Sequence, residues 1–402
     1  MLRRADRNLD NIPVGALGII PLDGCQEMGK AVNDYLVEWR KDSKNAENDD
    51  PLYHGYAKDN YIIGSNLPRF GSGEAKGTLA ESIRGKDLYL MVDVLNYSRT
   101  YSINGHENHT SPDDHYQNLK RIIAAVGGKA RRINVIMPFL YESRQHRRTG
   151  RESLDCALAL QELVGMGVDN IITFDAHDPR IQNAIPLSGF ESIPATYQFI
   201  KGLLGRFDDI KIDSDHLMAI SPDEGATRRA IHLANVLGID MGMFYKRRDY
   251  TRIVSGSNPI VAHEFLGDDV AGKDVIIIDD MISSGGSILD VARQLKARNA
   301  KRIFAAATFG LFTNGMEIFD KAHEDGLIDA VLTTNSIYQT PELLSRDYYI
   351  NCDLSKYMAL IIDTLNHDGS LGDILSPNER IQTVVNAYKH CFSFTCYLLP
   401  TL

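Results

Sequence analysis

DVIIIDDMISSGGS, residues 274–287, is the stretch whose reading decides the fold. Val275 to Ile278 form a continuous β-branched run, the mark of a strand buried on both faces of a parallel sheet, and a strand is predicted over 275–280. Asp279 and Asp280 are then expected to emerge at its carboxyl end, where open α/β sheets bind ligands. Ser283, Ser284, Gly285, Gly286 and Ser287 follow at the start of a helix predicted to run to about residue 299, so backbone N–H groups and hydroxyls gather into an anion site. Two carboxylates beside a phosphate cup suit a phosphorylated sugar, with acceptors for its hydroxyls and donors for its phosphate. An ordinary strand–turn–helix joint with capping serines is the plainer alternative, and only the rest of the chain can choose.

Composition narrows the choice. The chain has 402 residues, 44% of them apolar, enough for one large core or two medium ones, and two is the preferred reading, with domains at 1–190 and 191–402. A formal charge of −10 argues against nucleic acid or an anionic membrane as partner, although basic residues cluster at 144–151 and 246–252. Five cysteines without a CxxC pair point to reduced thiols rather than a disulfide framework or a structural zinc. The start, MLRRADRNLDNIPVG, lacks an apolar signal core and no run is long enough to span a bilayer, so a soluble, cytoplasmic protein is expected.

Strand-like runs at 88–94, 133–139, 170–175, 217–220, 275–280 and 302–308 alternate with helical segments near 115–126, 153–166, 224–237 and 287–299, the pattern of βαβ units. The pattern occurs twice, with a turn-rich break at 185–194. Residues 41–60 and 98–115 read as polar insertions and are expected to be exposed loops; His106, His109 and His115 in the second fit loop composition better than a metal cluster. A last helix is predicted over 378–389, followed by an apolar tail.

Five further segments carry chemistry. SRQHRRTGR (143–151) gathers guanidinium groups after the strand ending at Phe139, a clamp suited to polyphosphate. FDAH (174–177) puts Asp175 and His177 at another strand end; beside phosphates they can hold magnesium, whereas a hydrogen-bonded core histidine is the plain alternative. SPDEGATRR (221–229) offers Asp223 as a cation ligand or as a helix cap. YKRRDYTR (245–252) is a cationic segment leading into SGSNP. FGSGE (70–74), followed by ESIRGKD (81–87), reads by itself as a glycine turn.

In this order, over residues 60 to 365, the six segments resemble those of the ribose-phosphate pyrophosphokinases (phosphoribosyl pyrophosphate synthetases); the phosphate loop alone is shared with type I phosphoribosyltransferases. The resemblance implies an α/β fold of two tandem phosphoribosyltransferase-like domains, each with a central, mainly parallel sheet flanked by helices. It implies transfer of the β,γ-pyrophosphoryl group of ATP to ribose 5-phosphate, giving 5-phosphoribosyl 1-pyrophosphate and AMP, with Mg²⁺ as cofactor. Lys246 and Arg248 inherit the catalytic loop's transition-state roles. ATP binding falls to Phe70, Ser72, Gly73, Glu74, Arg144, Gln145 and His146, and ribose 5-phosphate binding to Asp279, Asp280 and Ser283 to Ser287. His177, Asp223 and Asp175 become the metal residues. In the family the FGSGE-type loop completes a neighbouring subunit's site, which implies a homo-oligomer, a dimer or a hexamer, with shared active sites. Three positions depart from the family pattern: Ser72 and Ser283 stand where it has aspartate, and Ala226 where it has glycine. A non-catalytic regulatory relative and a phosphoribosyltransferase are the alternatives. Retained Lys246, Arg248, His177, Asp223, Asp279 and Asp280 speak against the first, and the RQHRR and FGSGE segments against the second.

Overall fold

The computed structural model describes residues 12–43, 45–46, 53, 55–248 and 260–393. In chain order the first half contains β1 (Ala16–Pro21), α1 (Gln26–Lys41), the short antiparallel pair β2 (Ser65–Asn66) and β3 (Thr78–Leu79), β4 (Lys86–Met91), the hairpin β5 (Thr100–Ile103) and β6 (His106–His109), α2 (Pro112–Val126), β7 (Arg132–Ile136), α3 (Asp155–Gly165), β8 (Asn170–Phe174) and β9 (Gly189–Ile193). Then come α4 (Thr196–Arg206), β10 (Leu217–Ser221), α5 (Thr227–Leu237), β11 (Asp240–Arg248), β12 (Ile260–Leu266), β13 (Asp274–Ile282), α6 (Gly286–Lys296), β14 (Ile303–Gly310), α7 (Glu317–Glu324), β15 (Ala330–Thr334), α8 (Pro341–Leu344) and β16 (Tyr349–Cys352). The chain closes with α9 (Ser355–Asn366), α10 (Gly372–Leu375) and α11 (Asn378–Ser393).

Two compact units result. The first holds residues up to Pro194 together with Asn335–Tyr338 and Asp353–Ser376; the second holds the remainder. The first unit's sheet has the order β1-β4-β7-β8-β9, every pairing parallel. β9 occupies the segment expected to be a turn-rich break: Phe190 and Ile193 pair beside Ile171 and Phe174, so the last strand of the sheet lies where the sequence shows only Gly, Pro and Ser punctuation. The division at 190/191 also needs correcting, because Asp353–Ser376 return to the first unit. α9 is buried along most of its length, as expected of a helix apolar nearly all round. Two of its buried polar side chains find partners in the first unit: Asp363 Oδ1 accepts from Arg40 Nε at 3.2 Å, and Asn366 Nδ2 donates to Asp87 Oδ2 at 2.8 Å.

Neither insertion is a simple exposed loop. In 41–60, where residues 44, 47–52 and 54 lie outside the described residues, Tyr56 is buried with its ring 4.8 Å from the Arg40 guanidinium. In 98–115 a hairpin forms, and Ser111 with Asp114 makes a reciprocal capping box for α2, Pro112 taking the first helical position. His115 is consequently buried on α2, its ring bonded to the Asn96 carbonyl, and no metal cluster among the described residues involves it. Cys25, Cys156 and Cys352 are free and buried. No helix among the described residues is long and apolar enough to cross a membrane.

In the second unit the sheet runs β12-β11-β10-β13-β14-β15-β16, parallel except for the edge strand β12. From β10 the chain crosses through α5 to β11; from β13 it crosses through α6 to β14, on the opposite side. Successive connections therefore diverge between β10 and β13, and a crevice opens above the carboxyl ends of those two strands.

Arg40 is 1% exposed, so its charge depends on Asp363. Asp363→Ala should destabilise the first unit by about 3–5 kcal/mol, while Arg40→Met with Asp363→Leu should recover most of that loss. Urea unfolding followed through Trp39, the chain's single tryptophan and a residue of α1, reads this unit.

Candidate active site

The crevice between β10 and β13 collects most of the second unit's expected residues. Pairing of β13 with β10 stops at Ile277, whereas pairing with β14 continues to Ile282. Asp279 and Asp280 thus lie inside the strand rather than past its end, on the part of β13 that outruns its neighbour. Asp280 is 3% exposed and its Oδ2 lies 4.0 Å from an Arg229 guanidinium nitrogen. Asp279 Oδ1 accepts from the Asp280 backbone N–H at 2.8 Å. Burial pushes the Asp279 carboxyl up to about 8, and the adjacent Asp280 charge and the more distant Asp223 add to the shift. Two carboxylates held this way invite sugar hydroxyls or a cation.

Asp223, in the turn after β10, accepts through Oδ1 from Gly225 N at 2.9 Å and Ala226 N at 3.3 Å. That is a capping role, and it lies beside the Asp279 field. Across the crevice, Gly285 caps α6 with φ +87°, and a Cβ there would meet the Phe319 ring at 2.3 Å. Only glycine fits, for both reasons. Gly286 and Ser287 are exposed at the first turn of the helix and Ser283 and Ser284 are half-buried beside it, so the turn presents its N–H groups at a helix N-terminus.

Lys246 and Arg248 lie on β11 in a hairpin with β12, paired with His263 and Ile260 across a bulge at Arg247/Arg248. Bulges recur where a strand is re-aimed beside a functional site. The rest of the cationic segment, 249–259, lies outside the described residues.

The first unit places its own expected residues at strand ends. Asp175 follows β8 with φ +34°, unusual for a residue other than glycine, its N–H held by the Ile193 carbonyl at 3.0 Å. His177 is exposed and its ring lies 5.4 Å from that of His146, which brings FDAH and RQHRR together. His146 Nε2 lies 3.4 Å from Asp178 Oδ2, and Arg180 clamps the same carboxylate, holding it down at about 2. Arg144 is exposed, and Gln145 donates to the Ser153 carbonyl at 2.7 Å. The Phe70–Glu74 loop is mostly exposed; Ser72 Oγ donates to Glu74 Oε2 at 2.9 Å, a contact an aspartate at 72 would replace with repulsion.

Asp178, Arg180 and Arg229 were not among the expected site residues. For Arg229 a signal existed: Arg228 and Arg229 occupy the first turn of α5, where the helix dipole disfavours cations, so a compensating acid had to be near. Asp178 and Arg180 gave none, since their meeting with His146 joins two strands.

As to metal, no three His, Cys, Asp or Glu side chains among the described residues form a group placed to hold an ion. The hard oxygens of Asp279, Asp280 and Asp223 fit magnesium in the manner it usually adopts, one or two carboxylates supplemented by water and substrate phosphate.

Parallel α/β units with an acidic pair and a glycine turn at these strand ends are of the phosphoribosyltransferase type. Residues 17–167 match the N-terminal domain of ribose phosphate pyrophosphokinase, and residues 188–342 match the phosphoribosyl transferase domain. The ribose-phosphate pyrophosphokinase of Corynebacterium efficiens is 30% identical over 276 residues, 68% of this chain and 76% of that one. That of Mycoplasma pneumoniae is 31% identical over 274 residues, 67% of this chain and 75% of that one. The solved phosphoribosylpyrophosphate synthetase from Mycobacterium smegmatis shares the fold, with a TM-score of 0.66 at 22% identity, over 88% of this chain and 99% of that one. The chain belongs to the ribose-phosphate pyrophosphokinase family.

The raised Asp279 value has a consequence for stability. Unfolded aspartate titrates near about 3.9, so the cost of ionising the pair is absent below that pH, grows as pH rises and is complete above about 8. Asp279→Asn should therefore raise the melting temperature of the unliganded chain at pH 8 and leave it nearly unchanged at pH 4. Calorimetry at the two pH values checks this.

Proposed function

We propose that this chain is a ribose-phosphate pyrophosphokinase that moves the β,γ-pyrophosphoryl group of ATP to the anomeric hydroxyl of ribose 5-phosphate, releasing AMP. The observation that carries the reading is the divergence of β10 and β13, which gathers Asp279, Asp280 and the Ser283–Ser287 turn at one crevice. The match of residues 17–167 to a pyrophosphokinase N-terminal domain separates this reading from a phosphoribosyltransferase.

In this mechanism the N–H groups of the Ser283–Ser287 turn hold the 5-phosphate, and Asp279 and Asp280 accept from the ribose hydroxyls and fix the sugar. Arg144, Gln145 and His146 orient the polyphosphate, and the Phe70–Glu74 loop meets the nucleoside. The anomeric oxygen attacks the β-phosphorus in line, and Lys246 and Arg248 offset charge developing on the transferred group. Asp223 in the second unit, and separately His177 with Asp175 in the first, are the residues assigned to Mg²⁺, which when bound would neutralise phosphate charge. Asp279 accepts best from the sugar hydroxyls as a carboxylate, so sugar binding should tighten as pH rises toward 8. A cytoplasmic homo-oligomer, a dimer or a hexamer with shared active sites, completes the reading.

Purified protein with ATP, magnesium and ribose 5-phosphate should form AMP only when the sugar is present. AMP formation without sugar, or turnover that needs a purine base and the activated sugar, would overturn the assignment. Lys246→Ala should lower kcat by roughly a hundred- to a thousandfold with little change in the KM for ATP, the pattern of a contact made in the transition state. Equal kcat in variant and wild type removes Lys246 from the chemistry.

A further inference from the structure

We propose that the β5–β6 hairpin is a positioning element for the nucleotide, holding the Phe70–Glu74 loop through Tyr101, Ile103 and Asn104. The proposal rests on the reading of that loop as part of the ATP site. By itself the loop has little to fix it. Four of its five residues are exposed, and its internal backbone bonds are Phe70 N–H to the Glu74 carbonyl and Gly73 N–H to the Phe70 carbonyl, both 2.8 Å. An exposed turn of this size loses backbone entropy on ordering that two solvated hydrogen bonds offset poorly.

The hairpin supplies what is missing, from three directions. Asn104 and Gly105 both have positive φ, 49° and 80°, so a two-residue turn of the primed type closes the hairpin and sets its register. That turn delivers the Asn104 N–H to the Gly71 carbonyl at 2.9 Å. The Ile103 side chain lies against Gly73, where a Cβ would stand only 3.0 Å from it. Third, the Arg69 guanidinium lies 3.8 Å over the Tyr101 ring, donates to the Gly73 carbonyl at 3.0 Å and pairs with Asp114 at 3.1 Å. A guanidinium stacked on a ring and forked between two acceptors is held in one orientation.

Asp114 ties this assembly to α2. Its carboxylate also accepts from the Tyr101 hydroxyl at 3.0 Å and completes the capping box of α2. Burial raises its pKa, but the Ser111 donors, Tyr101 and Arg69 outweigh that and hold it below the usual carboxylate value. One carboxylate therefore joins hairpin, loop and helix. Tyr101 and Ile103 touch no substrate in the proposed reaction; they act through Arg69 and Gly73, so they are positioning residues.

Full-length wild type, Tyr101→Ala and Tyr101→Phe are to be compared by steady-state kinetics, with ATP and ribose 5-phosphate varied separately, and by amide hydrogen exchange. Tyr101→Ala should raise the KM for ATP about tenfold and leave kcat and the KM for ribose 5-phosphate within about twofold. Tyr101→Phe, which keeps the ring under Arg69, should retain most of the ATP affinity. Peptides covering 66–80 should exchange faster in Tyr101→Ala than in wild type, with other regions unchanged. Unchanged exchange over 66–80, an unchanged KM for ATP, or an equal rise in both KM values overturns the proposal. A wild type without sugar-dependent AMP formation sinks the catalytic reading instead, and the exchange comparison then decides the hairpin's role alone.

Discussion

Pairing of β10 with β13 is the constraint on which the second unit's chemistry depends. Parallel strands cannot be joined by a tight turn, so each must be followed by a crossover, and here the two crossovers leave on opposite sides. A gap above the strand ends follows from that divergence. Because β13 continues five residues past its last partner in β10, the acidic pair stands in the gap without leaving its ladder with β14. The position of Asp279 and Asp280 is thus fixed by sheet register rather than by a loop, which would give the proposed sugar a rigid seat.

The same rigidity carries a thermodynamic cost. Adjacent carboxylates in a partly dry crevice resist ionisation, and Asp279 is displaced far from its usual range. An enzyme designed for stability alone would have placed amides there. Retaining two acids makes sense if the ligand supplies the missing donors, so that binding offsets a strain that folding leaves in place.

The parallel core was largely legible in the sequence because buried β-branched runs such as Val275–Ile278 can hardly be anything else. The short strand β9 was not: GFESI pairs in spite of its composition, since Phe174 and Ile171 on the neighbouring strand supply the packing. Motif-bearing turns were legible wherever chain neighbours make the site, as at Gly285. Contacts that join distant segments left less trace. His146 with His177 could be matched only through the resemblance, and Asp178, four residues past the end of β8, announced nothing. The polar composition of 98–115 concealed a hairpin whose alternation is short, Tyr101 and Ile103 half-buried beside exposed Thr100 and Ser102.

The return of Asp353–Ser376 to the first unit bears on how the protein is made. A ribosome releases residues in order, so the early half emerges without α9, the helix whose Asp363 neutralises Arg40. That half must wait, incompletely buried, until Ser376 has been synthesised, and the second unit, whose core takes Ile381 and Val385 of α11, is completed later still. Nascent chains released before residue 376 should therefore be substrates for chaperones and proteases, and dividing the polypeptide near its midpoint would not yield two independently folding pieces.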